Sequence, residues 1–342
     1  MTQTPFSMGY RMPAEWEKHE GTWLVWPKNL DTFAEEGIGR VRMTYVKFIE
    51  ALGKGETVHL LVDDDATKRA VVSAVGSGNR LVFHAIRSAD VWIRDYGPIF
   101  VRNGEVALTK WVFNSWGNRY DDLRPDNETG LEVARTTGLR VFETGRVLEG
   151  GSVDANGAGT LLTTTQCLMN QNRNPGLTRE QVEAVLRDHL GATKVIWLES
   201  GILGDDTDGH VDDIARFVAP HTVVCMVEKD RDDPNHEPLA ANLEVLRSST
   251  TADGRRLKVV PIDMPSPFES EDGRLPASYA NFYVGNEVVL VPTFADPNDR
   301  KAVSSLSKLF PERKVLGVDC RDLVRGFGAI HCVTQQQPTG RQ

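Results

Sequence analysis

Four short segments of this chain carry side chains able to do chemistry. "GFGAIHCVTQQQP" (Gly326 to Pro338) holds Cys332 beside His331, "TDGHVD" holds His210 and Asp212, "WIRDYGP" holds Asp95, and "LEGGSVD" holds Glu149. A cysteine serves as a thiolate nucleophile, as a metal ligand or as a small packing residue, and the local sequence around Cys332 leaves all three open. His331 is not its expected base, because adjacent strand residues point to opposite faces. His210 is better placed. It precedes Asp212 by two positions at what reads as the start of a strand, so both side chains face one side. A carboxylate such as Glu149 beside that imidazole would raise its pKa and suit it to proton transfer.

Metal chemistry finds little support in the spacing. The run Asp205-Asp206-Thr207-Asp208-Gly209 invites a calcium-loop reading, but with Gly209 as the loop glycine the first and last ligand positions fall on Gly204 and Ala215. The four cysteines (Cys167, Cys225, Cys320, Cys332) show no CxxC spacing. A disulfide scaffold and a zinc ribbon are therefore not expected, and a reducing cytoplasm is. No metal and no cofactor are expected.

The elements that position these residues form a repeat. "VRNGEVALTKWVF", "GSVDANGAGTLLTTT", "IARFVAPHTVVCMV" and "NFYVGNEVVLVPTF" each place a short breaker between two β-rich runs, as hairpins do. A polar loop follows each, then a helix-like segment, then another β-run. "LTREQVEAVLRDHL" is the clearest helix, with Thr178 as its N-cap. The N-terminal "GTWLVWP", "VRMTYVKFIEALG" and "TVHLLV" make a fifth unit that lacks its opening strand, which the C-terminal "AIHCVTQQ" can supply. Second strands are expected to begin near residues 22, 106, 160, 222 and 287. The expectation is an α/β fold of five ββαβ units closed into a ring, one domain over residues 1–342. A doubly wound sheet is the alternative, and the recurring hairpins speak against it. In such a ring the four segments named above, together with "ASYANFY", enter their hairpins at equivalent places, so the acids, His210 and Cys332 come together.

Composition narrows the function classes. With 40% hydrophobic and 25% charged residues, the chain of 342 residues reads as an ordinary globular protein. A net charge of −9 disfavours nucleic acid and would suit a cationic ligand. No apolar run is long enough to span a membrane, and the first residues lack the pattern of a signal peptide.

Taken in order, "MPAEWEKHEGTWLVWP", "WIRDYGP", "LEGGSVD", "TDGHVD" and "IHCVTQQQP" resemble the agmatine deiminase family, within the guanidine-modifying superfamily that also holds arginine and peptidyl-arginine deiminases. The resemblance covers nearly the whole chain. It implies a five-bladed α/β propeller and cofactor-free hydrolysis of agmatine to N-carbamoylputrescine and ammonia. It implies Cys332 as nucleophile, His210 as acid and base oriented by Glu149, and Asp95 and Asp212 as grips on the guanidinium. Trp92 is then a candidate cover for the guanidinium or methylene chain, and Asp206 a candidate for the distal ammonium. The expected partner is a small cationic guanidine, not nucleic acid or a membrane, with homo-oligomerisation left open. One departure stands out: family members commonly carry Gly-Gly-Gly-Asn before Ile-His-Cys, whereas Gly326, Phe327, Gly328 and Ala329 precede Ile330 here. It bears on the substrate more than on the nucleophile, and keeps peptidyl-arginine and free arginine as alternatives. A papain-type hydrolase would want an oxyanion hole instead of acids. A non-catalytic guanidine-binding protein is the remaining alternative.

Overall fold

The computed structural model describes residues 3–76, 79–271 and 273–340. Its strands fall into five sheets of three or four strands and one two-stranded ribbon, Glu269–Ser270 with Gly273–Arg274. The expected unit recurs in the larger sheets. Ile99–Arg102 pairs antiparallel with Val106–Val112, which pairs parallel with Arg140–Val147. The same order links Asp154–Ala155, Thr160–Thr164 and Lys194–Leu198. It links Ala215–Ala219, Thr222–Val227 and Lys258–Asp263, and then Tyr283–Val284, Val288–Thr293 and Lys314–Asp319. Between the second and third strands of these four units run the helices Asp126–Thr136, Arg179–Leu190, His236–Ser248 and Asp299–Leu309.

Local chemistry explains these elements. The hairpin tips at Gly104 and Gly157 have φ of 104° and 69°, a region glycine enters without steric cost. Thr178 and Gln181 close a capping box at the start of Arg179–Leu190. The middle strands are Val-rich and buried on both faces, as strands in parallel pairing under a helix must be.

Three readings need correction. The closing strand is Gln335–Pro338, antiparallel to His19–Val25, so Ile330 to Val333 form a turn before it and not part of it. The first sheet continues past Thr57–Val62 through a helix, Asp65–Val75, to a further parallel strand, Leu81–Ala85, that the repeat did not anticipate. Its long helix runs Leu30–Leu52, capped by Asn29 and broken at Ala34, where φ is 52°. Finally, His210 to Asp213 are not a strand: His210 caps a 3-10 turn, Val211–Asp213. The cause is Asp205, whose carboxylate accepts the backbone N–H groups of Thr207, Gly209 and His210 and holds them off any ladder.

One buried carboxylate ties the units together behind these turns. Glu15 Oε2 lies 2.9 Å from His331 Nε2, 2.9 Å from Arg216 Nη2 and 3.4 Å from Arg94 Nη2, while Oε1 accepts the Val284 N–H. Arg216 also pairs with Asp154. Burial raises the carboxyl of Glu15, but Arg216, His331 and Arg94 outweigh it and hold the group well below the ordinary carboxylate range. Removing one partner of such a buried set strands the others. Glu15→Ala is expected to destabilise the protein by about 3–5 kcal/mol, read as a lowered denaturation midpoint. A change within a few tenths of a kcal/mol would deny the network this part.

Candidate active site

A short turn leads into the first strand of every larger sheet, and the polar side chains on these turns meet. Asp95 stands on Ile93–Tyr96, Glu149 caps Gly150–Ser152, His210 and Asp212 flank Val211, Asn281 precedes Tyr283–Val284, and Cys332 precedes Gln335–Pro338. His210 Nδ1 lies 3.8 Å from Asp95 Oδ1, and His210 Nε2 lies 3.9 Å from Glu149 Oε2. The Cys332 sulfur is 3.9 Å from Asp212 Oδ2. All five residues expected to carry the chemistry are therefore gathered, and all are buried.

Gly151 shows how tightly they converge. A methyl group at its α-carbon would stand 2.6 Å from His210 Nδ1, 2.9 Å from Asp95 Oδ1 and 3.0 Å from Asp212 Oδ2. Its N–H donates to Asp95 Oδ1 at 2.9 Å, and the Trp116 indole donates to Asp95 Oδ2 at 2.9 Å. Gly151→Ala should leave a folded protein whose turnover falls by about 10²-fold or more, since ångström shifts of reacting groups cost that much. Near-normal turnover in this variant would show that the three groups need not hold these positions.

Around the acids, charge is set by burial and by specific neighbours. Burial lifts Glu149, but Arg173, bonded to its Oε1 at 2.7 Å, and His210 together hold it ionised below its ordinary range. Burial disfavours a charged imidazole at His210, yet Asp95, Cys167 and Glu149 raise it well above the usual histidine range. Asp95 is raised by burial and by Asp212 and Glu149, with His210 opposing. Asp212 is lowered: burial raises it, but His331, whose Nδ1 is 2.6 Å away, prevails. Cys332 is raised well above the usual thiol range by burial and then by Asp212, Asp213 and Asp95.

At this site, four buried atoms have no hydrogen-bond partner among the described residues: Glu149 Oε2, Asp212 Oδ1 and both ring nitrogens of His210. Buried polar groups are almost always paired, so unpaired ones gathered at one spot mark a place for a polar ligand. A cavity of about 330 Å³ opens onto it, lined among others by Trp92, Asp95, Trp116, Tyr120, Asp206, Phe327 and Cys332. Trp92 and Asp206 thus both line the cavity that opens onto the gathered acids. Tyr120 donates to Asp206 Oδ2 at 2.6 Å, and burial pushes that carboxyl up to about 6. Trp92 is braced by Asp90, which accepts its indole N–H, and its ring packs where Gly326 and Gly328 leave no room for a side chain.

Some functional neighbours escaped the sequence reading. Asn281 Nδ2 donates to the Cys332 sulfur at 3.1 Å, so an amide stands beside this thiol, contributed by "ASYANFY". That segment was placed correctly, but an uncharged amide gave no signal. Arg173 lay in a polar loop with nothing to distinguish it from solvated arginines. His331 sits in a turn and not in a strand, so the alternation argument does not apply to it; its two ring nitrogens are clamped between Asp212 and Glu15. Cys167 offers a sulfur that, with donor atoms of Glu149 and His210, forms a set within 4.8 Å of one another, the kind of group that could hold a metal ion. Sequence spacing could not reveal it, because the three residues come from different turns and loops.

Acids that crowd a sulfur suit a planar cation. An acyl-transfer site would instead present donors to a developing oxyanion. The class this defines is that of enzymes acting on guanidines. The chain belongs to the Porphyromonas-type peptidyl-arginine deiminase family, which it matches over residues 11–338. It is 38% identical to an agmatine deiminase of Ectopseudomonas mendocina over 363 residues, covering 99% of this chain and 98% of that protein. Its structure is similar to that of the agmatine deiminase of Enterococcus faecalis, with a TM-score of 0.92, 32% identity and coverage of 99% and 98% of the two chains. A dimethylarginine dimethylaminohydrolase shares the fold at 11% identity, with a TM-score of 0.52 over 93% of this chain and 99% of that one.

Proposed function

We propose that this protein is an agmatine deiminase, converting agmatine and water to N-carbamoylputrescine and ammonia through a covalent intermediate on Cys332. The observation that carries this is the convergence of Cys332, His210, Glu149, Asp95 and Asp212 at one buried spot with unpaired acceptors. The guanidinium is a delocalised cation and a poor electrophile. Asp95 and Asp212 accept its N–H groups through charge-assisted bonds and hold its carbon over the sulfur. The arriving cation offsets the carboxylates that keep Cys332 protonated, so binding itself favours the thiolate, and the Asn281 amide N–H supports it. Sulfur attacks the guanidinium carbon. His210 enters protonated, as Asp95 and Glu149 dispose it, and gives a proton to the departing ammonia. The C–N bond breaks and an S-alkylthiouronium remains. The now neutral His210 takes a proton from water, which adds to the thiouronium carbon, and the C–S bond breaks to release the ureido product.

In this reading the five sheets are blades of one propeller domain. Glu15 supports it, because its partners come from several of the units. Cys167, Glu149 and His210 act as proton-handling neighbours and not as a metal site, since Arg173 already neutralises Glu149. Activity is therefore expected to survive exhaustive EDTA treatment. Loss restored by added metal would reverse that assignment. Among the described residues no helix is long and apolar enough to cross a membrane. The free, buried cysteines support a reducing, cytoplasmic setting. Ammonia release from agmatine, free arginine and a blocked arginine peptide tests the substrate: agmatine should be consumed with carbamoylputrescine formed. Release from the peptide alone would favour a peptidyl-arginine deiminase.

A further inference from the structure

One wall of the cavity is built from three segments, two of them bonded to a single carboxylate. Asp31 and Thr32 come from the first turn of Leu30–Leu52, Trp92 precedes Ile93–Tyr96, and Gly326 and Phe327 belong to the turn before Cys332. The three close on one another. A methyl group at Gly326 would stand 2.7 Å from Thr32 Cγ2, 2.8 Å from the Phe33 ring and 3.0 Å from Trp92. The long helix does not carry residues 30–33, because helical geometry breaks at Ala34, where φ is 52° and ψ is 159°. Behind the wall lies Asp90. Its Oδ2 accepts the Thr32 hydroxyl at 2.5 Å, the Trp92 indole N–H at 3.1 Å and the Asn29 amide at 3.2 Å. Its Oδ1 accepts the Val91 N–H at 2.8 Å. Asn29 completes the latch, since its own Oδ1 accepts the Asp31 N–H at 3.0 Å and caps the turn.

Asp90 is itself firmly mounted. Its N–H donates to Asp126 Oδ2 at 2.9 Å, and its carbonyl accepts the Tyr96 phenol at 3.0 Å. No cation among the described residues pairs with its buried carboxylate, which is therefore satisfied by the donors of the wall. Cys332 is held from elsewhere, by the Asn281 amide at its sulfur and the Arg94 N–H at its carbonyl. We propose that Asp90 is a positioning residue for the reaction, tying residues 29–33 to Trp92 so that the wall already stands when a guanidine enters. The inference rests on the deiminase reading, in which this cavity holds the guanidine's chain. Losing the latch lowers the fraction of molecules with the wall in place, and apparent affinity falls in the same proportion. The effect belongs to binding and not to the bond-making steps, because the sulfur and its acids do not hang on Asp90.

The test measures kcat and KM for agmatine in the unaltered protein and in Asp90→Asn, Thr32→Val and Thr32→Ser. Affinity for a non-reactive guanidine is measured alongside, in a Cys332→Ala background. Asparagine at position 90 keeps the shape but turns N–H donors toward either the wall or the Val91 N–H. Its KM should rise about tenfold or more, the scale of one lost hydrogen bond to a charged group, with kcat within about threefold. The non-reactive guanidine should weaken in proportion. Thr32→Val alone should raise KM about three- to fivefold, as loss of one hydrogen bond does. On top of Asp90→Asn it should add about twofold or less, since a neutral amide has already weakened that bond. Thr32→Ser keeps the hydroxyl and should recover most of the loss seen in Thr32→Val. Should Asp90→Asn fail to fold, the two Thr32 variants decide, and equal KM in both would overturn the inference. Unchanged KM in folded Asp90→Asn, or a fall in kcat at constant KM, would overturn it too. So would a full Thr32→Val effect in the Asp90→Asn background, which would mean that Thr32 acts on the substrate directly. All of these leave the deiminase reading standing. Turnover of no guanidine by the unaltered protein would defeat that reading, and this inference with it.

Discussion

Cys332→Ser is expected to lower turnover by about 10⁴-fold or more, as removal of a covalent nucleophile does. In slowed variants such as His210→Ala, mass spectrometry should find the thiouronium on the peptide that contains Cys332. Cys167 is the serious competitor, because its sulfur lies close to His210 and Glu149. Burial keeps the Cys167 thiol high, and it pushes Cys225 up to about 12. An adduct on Cys167 with Cys332 unmodified would therefore redraw the mechanism. The pH dependence follows from the raised thiol. Burial and then Asp212, Asp213 and Asp95 lift the Cys332 thiol well above the usual thiol range, so a protonated thiol is the expected form in the free protein at neutral pH. Its alkylation by neutral iodoacetamide should be slow at pH 7 and keep rising beyond pH 9. A haloacetamidine, which brings its own amidinium, should react roughly tenfold faster or more at pH 7, one unit of thiol pKa being worth tenfold in thiolate. A plateau in iodoacetamide reactivity below pH 8 would mean the thiolate is already formed without substrate.

The repeat was legible because hairpin tips and caps are local chemistry. Asn-Gly tips and the Thr178 cap announce themselves in a few residues, and strands begin at His19, Val106, Thr160, Thr222 and Val288, against expected starts near 22, 106, 160, 222 and 287. Gathering of the five site residues was legible for the same reason, since equivalence of turns follows from equivalence of units. The conformation of each turn was not. Nothing near His210 in the sequence says that Asp205 will capture three backbone N–H groups and fold "DDTDGHVDD" into a loop and a 3-10 turn. The face shared by His210 and Asp212 was expected from strand alternation, and convergence on Gly151 arose from a different local geometry. Arg173, Asn281 and Glu15 were invisible because their significance lies wholly in long-range partners. A buried guanidinium against Glu149 reads, in one dimension, like any surface arginine.

The two aspartates and the imidazole should separate cleanly by what each variant loses. In the proposed mechanism Asp95 and Asp212 meet the guanidinium in the ground state, and both are buried. Replacing either by Asn keeps the shape, removes the charge and presents N–H donors to N–H donors. Truncating one partner of a desolvated charge pair costs about 2–5 kcal/mol, so both variants should lose substrate binding as well as rate. The environments differ, and so should the consequences. Asp212 accepts from His331, which Glu15 holds on its other side, so Asp212→Asn also disturbs the buried charge set. Asp95 is held by the Gly151 N–H and the Trp116 indole, two donors that an Asn oxygen could satisfy only one-sidedly. Asp212→Asn is therefore the variant expected to lower thermal stability more. His210→Ala should keep most ground-state affinity and lose the proton transfers, because its ring lies 3.8 Å and 3.9 Å from its carboxylate partners and waits on the leaving group. Affinity is measured with a non-reactive guanidine in a Cys332→Ala background. Full binding in both Asn variants, with weak binding in the His210 variant, would show that the imidazole grips the substrate and the aspartates handle the proton.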